Sequence, residues 1–163
     1  MTVMRKRFVI SAVVMLFLSA AYAADKWTVG ICPVMKGKTS LDYSYEYQGK
    51  TYYFCCSGCI AAFKKDPEKY LAKIKEIAVT SKRYEFIPAQ IKVKEGDIVR
   101  LTLTSEDVRH GLAIKDYDVN VVVDKGERKT VEFLADKKGT FEFHCSVRCG
   151  QGHGRMLGTL IVE

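Results

Sequence analysis

Short runs of alternating apolar and polar residues recur through the second half of the chain. They constrain its fold more than any other feature. The runs are Ile91-Lys92-Val93-Lys94, Val99 to Leu103, Val119 to Val123, Thr130 to Phe133, Phe141-Glu142-Phe143 and Leu160-Ile161-Val162. A period of two turns one set of side chains to a core and the other to water, which is the pattern of a half-buried strand. Gly96-Asp97, Lys125-Gly126 and Lys138-Gly139 supply turns between the runs. No helical period interrupts them. Residues 76–163 are therefore expected to form a β-sandwich or closed barrel.

The preceding stretch reads differently. Tyr43, Tyr45 and Tyr47 alternate with polar residues, Gln48-Gly49 offers a turn, and Lys50 to Phe54 returns as a second strand. Ile60 to Lys65 starts a short helix. Asp66-Pro67 caps and opens another, because proline suits the first helical position. Tyr70, Leu71, Ile74 and Ile77 are expected to give that helix one apolar face. Residues 24–75 thus read as a small α+β module around a cysteine cluster. About 50 residues bury little core, and folds of that size commonly need a metal or a crosslink. Tyr43, Tyr45, Tyr47, Tyr52 and Tyr53 read as hairpin packing.

Residues 1–23 have the order of a secretory signal peptide. Arg5, Lys6 and Arg7 precede the apolar run Phe8 to Ala20, and Ala21-Tyr22-Ala23 is a small-x-small cleavage site. The run is shorter than the roughly 20 residues that a membrane span needs. The mature chain is expected to be periplasmic or otherwise exported, with no transmembrane span after cleavage. Its removal takes three basic residues from a formal net charge of +7 and leaves +4. The remaining Lys and Arg do not cluster as a nucleic-acid footprint would, so no nucleic-acid partner is expected. A composition of 48% hydrophobic and 28% charged residues excludes a disordered chain.

Six cysteines in an exported chain first suggest disulfides. Cys55 and Cys56 are neighbours, however, and a bridge between neighbours is strained. The clusters also lie beside metal-binding residue types. A disulfide between Cys145 and Cys149, or within the first cluster, stays open. Cys145-Ser-Val-Arg-Cys149-Gly-Gln-Gly-His153-Gly-Arg-Met156 offers two thiolates, an imidazole and a thioether. A further imidazole, His110, is expected on an earlier loop. Thiolates with a thioether favour copper, and zinc sites rarely include methionine. His110, Cys149, His153 and Met156 alone would satisfy a mononuclear blue copper site. Cys145 is then surplus, and a second thiolate four residues before the first lets two sulfurs bridge two metal ions. His144 precedes Cys145 on a strand and is expected to point to the opposite face. Gly150, Gly152 and Gly154 are expected to leave the surface around His153 low enough for a partner to dock.

The other cluster is Cys32 with Cys55, Cys56 and Cys59, and it has no histidine, because all three lie at 110, 144 and 153. Three thiolates suit Cu(I). A four-cysteine zinc site is the alternative, although the side chains of Cys55 and Cys56 diverge on a strand. No hydrolytic triad, phosphate-binding loop or dinucleotide fingerprint is present, so the chain reads as a metal-binding protein rather than a self-sufficient enzyme.

Two resemblances sharpen this reading. Residues 84–163 resemble a cupredoxin, specifically the copper domain of cytochrome c oxidase subunit II and of nitrous oxide reductase. The resemblance is carried by Asp107-Val108-x-His110-x-x-Ala113-Ile114 and by Cys145-x3-Cys149-x3-His153-x2-Met156. It implies a mainly β, Greek-key cupredoxin barrel or sandwich with a dinuclear CuA-like centre. Cys145 and Cys149 would bridge two copper ions, His110 and His153 would be terminal ligands, Met156 would be axial on one copper, and the backbone carbonyl of Val147 would serve the other. Residues 30–71 resemble the YHS/TRASH-like family of small metal-binding modules. Here the motifs are Cys32-Pro33-Val34-Met35, Gly49-Lys50-Thr51-Tyr52-Tyr53-Phe54-Cys55 and Cys59-x3-Phe63-x2-Asp66-Pro67-x2-Tyr70. Cys32, Cys55 and Cys59 match its cysteine positions, and Cys56 is an extra thiol. Together they imply a one-electron carrier or electron-transfer subunit, or else a copper-handling protein that receives and passes on the metal. Either needs a redox or copper-transfer partner protein that the sequence leaves unidentified.

Overall fold

The computed structural model describes residues 30–163. The expected signal peptide, residues 1–23, lies outside the described residues. Among these, no helix is long and apolar enough to cross a membrane.

The first unit is a hairpin packed on two short helices. Strands β1 (Ser40–Tyr47) and β2 (Lys50–Phe54) are antiparallel. Gln48 and Gly49 join them with φ of 50° and 73°. Two consecutive positive φ values are what a tight turn needs to match the twist of its strands. Helices α1 (Ser57–Lys65) and α2 (Pro67–Leu71) follow. Phe63 of α1 is fully buried. The rings of Tyr45, Tyr47, Tyr52, Phe54 and Tyr70 surround it at centroid distances between 5.2 and 6.3 Å. The Asp66 carboxylate accepts the Lys69 N–H at 3.2 Å, and Pro67 opens α2, as the sequence predicts. Tyr43 lies beyond a register shift in β1 and is exposed.

The second unit is a two-sheet sandwich. Its strands are β3 (Ile74–Lys82), β4 (Glu85–Ile87), β5 (Gln90–Val93), β6 (Ile98–Ser105), β7 (His110–Ile114), β8 (Val119–Val123), β9 (Arg128–Leu134), β10 (Gly139–His144) and β11 (Leu157–Val162). One sheet has the order β4-β3-β6-β9 and the other β5-β11-β10-β7-β8. The β3–β6 and β5–β11 pairs are parallel. Val99, Leu101 and Leu103 project from the first sheet, and Leu112, Ile114, Phe143 and Leu160 from the second, into one core. Phe86 and Phe143 meet across the sheets edge to face at 5.3 Å.

One local expectation needs correction, and two strands are not marked by the sequence pattern. Ile74 and Ile77 are not on a helix. Helix α2 ends at Leu71, and β3 begins at Ile74. The parallel ladder from Ile74↔Ile98 to Ser81↔Ser105 gives these backbone groups a partner strand, and Val79 and Ser81 alternate into the interior. Strand β4 is only three residues long and carries no legible period. Strand β7 is buried at four of its five positions, so alternation could not reveal it.

One carboxylate joins the two units. Glu132 on β9 has a side chain only 6% exposed. Its Oε2 accepts the Ile31 N–H at 2.9 Å, next to Cys32, and its Oε1 accepts Arg100 Nε at 2.7 Å. Arg100 also reaches Glu76 at 3.2 Å, and Glu76 reaches Lys50 of β2 at 3.5 Å. A largely buried charge of this kind is costly to remove from its partners. Glu132→Ala is expected to lower unfolding stability by about 3 kcal/mol. Glu132→Gln, which still offers an oxygen to Ile31, should lose clearly less. Urea unfolding followed by tyrosine fluorescence separates the two, and equal losses would show that the Ile31 contact contributes nothing.

Candidate metal centre

The loop between β10 and β11 carries most of the donors. Its ends are tied together where the Cys145 N–H donates to the Met156 carbonyl at 3.1 Å, one step beyond the His144↔Leu157 pair. Twelve residues, 145–156, are thereby closed into a loop at one end of the sandwich. Cys145, Cys149 and Met156 turn inward and are buried. His153 sits half-buried on a single 3-10 turn, His153–Arg155.

The six expected copper ligands meet here. Cys145 Sγ and Cys149 Sγ are 3.9 Å apart. Cys145 Sγ lies 3.7 Å from His110 Nδ1 and 3.1 Å from the Val147 carbonyl oxygen. Cys149 Sγ lies 3.9 Å from both His153 Nδ1 and Met156 Sδ. His110 is not on a loop, as its sequence context predicts, but opens β7. Pairing of β7 with β10, Ala113 opposite His144, carries it to the cysteines. His144 itself is half-buried on β10.

The surroundings fix the imidazole. His110 is fully buried, and its Nε2 meets Asp107 Oδ1 at 2.8 Å. A neutral ring that donates from Nε2 leaves Nδ1 as the bare nitrogen, and Nδ1 is the atom that faces the thiols. Asp107 is held in turn. Burial pushes its carboxyl up, but the N–H groups of Arg83 and Val108 and the His110 ring outweigh that and hold it at about 2. Those amides donate at 2.9 Å and 2.7 Å. Arg83 then reaches the other half of the centre, where its Nε donates to the Cys149 carbonyl at 2.9 Å. Neither Arg83 nor this role of Asp107 is marked by the ligand spacing. The only sequence signal is an acid three residues before the buried histidine.

Close packing seats the loop. A Cβ on Gly111 would lie 2.1 Å from Ser146 Oγ and 3.3 Å from Val147 Cγ2, so only glycine lets β7 approach the loop this closely. The Tyr84 ring fills the space where side chains would stand on Gly150 and Gly152, with approaches of 2.5 Å and 2.3 Å to the missing Cβ positions. The low profile expected around His153 is therefore taken up in part by the chain's own tyrosine, and only Gly154 faces open space.

The donor chemistry fits copper. Two thiols, two imidazole nitrogens and a thioether in one buried cluster form a soft set that zinc sites rarely match. Burial, together with the neighbouring Cys145 thiol, pushes the Cys149 thiol up to about 11. The Cys149 thiol therefore carries its proton at neutral pH, and metal binding there must release that proton.

The cysteine module gathers its own donors. Cys32, Cys55 and Cys59 have sulfurs all within 4.8 Å of one another. Cys32 and Cys59 are buried, Cys55 is half-buried and Cys56 is exposed. Burial pushes the Cys32 thiol up, yet hydrogen bonds from the Met35, Cys55 and Val34 amides outweigh it and hold the thiol below its ordinary value. Burial and the surrounding thiols push Cys59 well up. Cys56 Sγ is 3.4 Å from Cys59 but stands outside the three-sulfur group, in the place of an extra thiol. All six cysteines of the described residues are free thiols.

The Asp107–His110 contact carries a prediction. Loss of a carboxylate that orients a ligating histidine costs about 10- to 100-fold in metal affinity. Asp107→Ala is expected to weaken copper binding by that factor, read by competition with a chelator, while the fold stays intact by circular dichroism. Unchanged affinity would show that β7 alone positions the ring.

Comparison with known proteins identifies the families of both units. Residues 32–73 match the YHS domain family, and residues 53–162 match the cupredoxin-like domain family. The nitrous-oxide reductase of Cupriavidus necator is 40% identical over 91 residues, which are 53% of this chain and 14% of that protein. Cytochrome c oxidase subunit 2 of Thermus thermophilus is 30% identical over 103 residues, 63% of this chain and 73% of the relative. The chain thus spans a small part of the reductases and most of the oxidase subunit. Among solved structures, a heme-copper terminal oxidase dimer superposes with a TM-score of 0.51 at 29% identity, covering 55% of this chain and 65% of that one. The periplasmic domain of subunit II of cytochrome oxidase from Bradyrhizobium japonicum shares the fold, with a TM-score of 0.51 at 21% identity over 55% of this chain and 83% of that one. Sandwich, converging soft donors and sequence matches lead to one assignment: the chain belongs to the cupredoxin-like family as a copper-binding domain related to CuA, with a YHS domain ahead of it.

Proposed function

We propose that the sandwich holds two copper ions in a CuA-like centre and that the protein is an exported one-electron carrier or electron-transfer subunit. The observation that carries this reading is the surplus of donors around the paired thiols. Cys145 and Cys149 lie 3.9 Å apart, and each has its own imidazole, His110 for one and His153 for the other. A single copper on His110, Cys149, His153 and Met156 would leave the Cys145 thiol without a role. Held by Cys145, Cys149, His110, His153, Met156 and the Val147 carbonyl, two copper ions would supply one-electron transfer.

The chain's own residues do the rest. Asp107 holds the His110 ring with Nδ1 toward the thiols. Arg83 ties the Cys149 carbonyl to the Asp107 side of the site. The buried face of the loop keeps water from Cys145, Cys149 and Met156. His153 is the half-buried ligand, so its edge is the route by which a redox partner would exchange electrons. Export is supported by the order of basic, apolar and small residues in 1–23. The division expected at residues 75/76 into a cysteine module and a copper domain is part of the same reading, with Ile74 and Lys75 joining the copper domain as the start of β3.

A second reading, copper handling, is favoured by one specific observation. The three sulfurs of Cys32, Cys55 and Cys59 converge in a pocket without histidine, a donor set for Cu(I) or zinc. The module would then receive metal, and the sandwich would hold or pass it on.

Metal counting tests the main proposal. The copper-loaded protein is expected to hold two ions in the sandwich and to give an electron spin resonance signal shared by two equivalent nuclei. Cys145→Ser should abolish the shared signal and leave one copper on His110, Cys149, His153 and Met156. One copper per sandwich in the unmodified protein, with Cys145 free, would overturn the dinuclear reading. A carrier must also cycle by one electron with its metal retained. Loss of copper to a chelator on each cycle would move the conclusion to handling.

A further inference from the structure

The sulfur that stands outside the three-cysteine group is unexplained by metal binding. Cys56 is the residue before α1, and Cys59 is in its first turn, so the pair forms Cys56-Ser57-Gly58-Cys59. The Cys59 N–H donates to the Cys56 carbonyl at 3.2 Å, which closes this turn and sets the two side chains on one side of it. Their sulfurs are 3.4 Å apart. One is exposed and the other is 3% exposed in the aromatic core around Phe63. An accessible sulfur with a shielded second sulfur in contact is the arrangement that thiol–disulfide exchange requires. The first is attacked or attacks, and the second resolves the mixed disulfide before it escapes.

We propose that Cys56 and Cys59 form a dithiol site that exchanges with disulfides of small thiols and of proteins, with Cys56 as the attacking and Cys59 as the resolving sulfur. Cys56, having lost its proton, attacks one sulfur of an incoming disulfide. A Cys56–S bond forms, the incoming S–S bond breaks, and the released thiolate takes up a proton. Cys59 then loses its proton and attacks Cys56 Sγ. The Cys56–Cys59 bond forms, the mixed disulfide breaks, and the second thiolate leaves and is protonated. Two electrons pass from the cysteine pair to the incoming disulfide, which becomes two thiols. A disulfide needs its sulfurs at about 2.0 Å, so closing the pair takes a side-chain movement on the order of 1.4 Å from the observed 3.4 Å contact. Cys55 also lies 3.5 Å from Cys59, but it is half-buried against the module core, so an incoming disulfide meets Cys56 first.

The pair shares Cys59 with the three-sulfur group. An oxidised Cys59 has no thiolate to offer a metal, so disulfide and soft metal exclude each other. This last consequence rests on the second reading of the cysteine module, whereas the exchange chemistry does not.

The test uses the full mature chain, free of metal, with oxidised glutathione as the probe. After a timed exposure the remaining thiols are blocked with N-ethylmaleimide, and peptides are mapped by mass spectrometry. The expected product is a Cys56–Cys59 disulfide with Cys55 blocked by maleimide. Cys56→Ser, at an exposed position that should not disturb folding, is expected to slow oxidation of Cys59 at least tenfold, and by clearly more than Cys55→Ser does. A first product joining Cys55 to Cys59 or Cys32 to Cys55 would overturn the proposal. So would a Cys56→Ser chain that oxidises Cys59 as fast as the parent. Repeating the exposure with Cu(I) preloaded separates the two readings. Protection of Cys59 supports a metal on the three sulfurs, and rapid oxidation despite added Cu(I) removes that metal reading while leaving the dithiol site standing.

Discussion

The hydrogen bond between Cys145 N–H and the Met156 carbonyl is the constraint on which the copper site depends. It is the last rung of the β10–β11 ladder, and it fixes both ends of the ligand loop to a rigid sheet. Within that frame the loop has little freedom, since twelve residues must turn two thiols and a thioether inward and still return to β11. The sheet then brings the remaining histidine from β7 on the neighbouring strand. The positions of these donors are thus set by strand pairing and not by the loop alone.

Around that frame a second set of contacts controls chemistry rather than position. Asp107 selects which nitrogen of His110 is bare, and Arg83 connects Asp107 with the backbone of Cys149. The two halves of the centre are therefore linked twice, once through sulfur and once through a polar clasp behind it. Tyr84, next in the chain to Arg83, packs on the glycines of the loop. A short turn between β3 and β4 thus does for the outside of the loop what the core does for its inside.

Much of this was legible in the sequence, for reasons that can be named. Strands β5, β6, β8, β9, β10 and β11 face a core on one side only, and their alternation shows. The cluster of soft donors was legible because four of its side chains share one loop at fixed spacing, and the hairpin was legible from its turn. Strand β3 was read in part as helix because Tyr70, Leu71, Ile74 and Ile77 fit a helical spacing as well as they fit two elements in succession. Only the partner strand β6 decides between them, and a partner distant in sequence leaves no local mark. Strand β7 was hidden because both of its faces are buried. Arg83 and Tyr84 were hidden because they act through a backbone carbonyl and a ring face, which any sequence can supply.

Glu132 has a consequence for how the two units communicate. Its carboxylate sits on a sandwich strand, yet it holds the amide of Ile31, the residue before Cys32. A movement of Cys32 that displaced this amide would therefore reach β9 directly and, through Arg100, β6. Lys50 of the hairpin reaches Glu76 and, through it, Arg100, so the small module is tied to the sandwich at two points, one next to a sulfur and one on the hairpin. Coupling through such contacts is reciprocal: an arrangement of sulfurs that favours one setting of β9 is itself favoured by that setting, and by the same free energy.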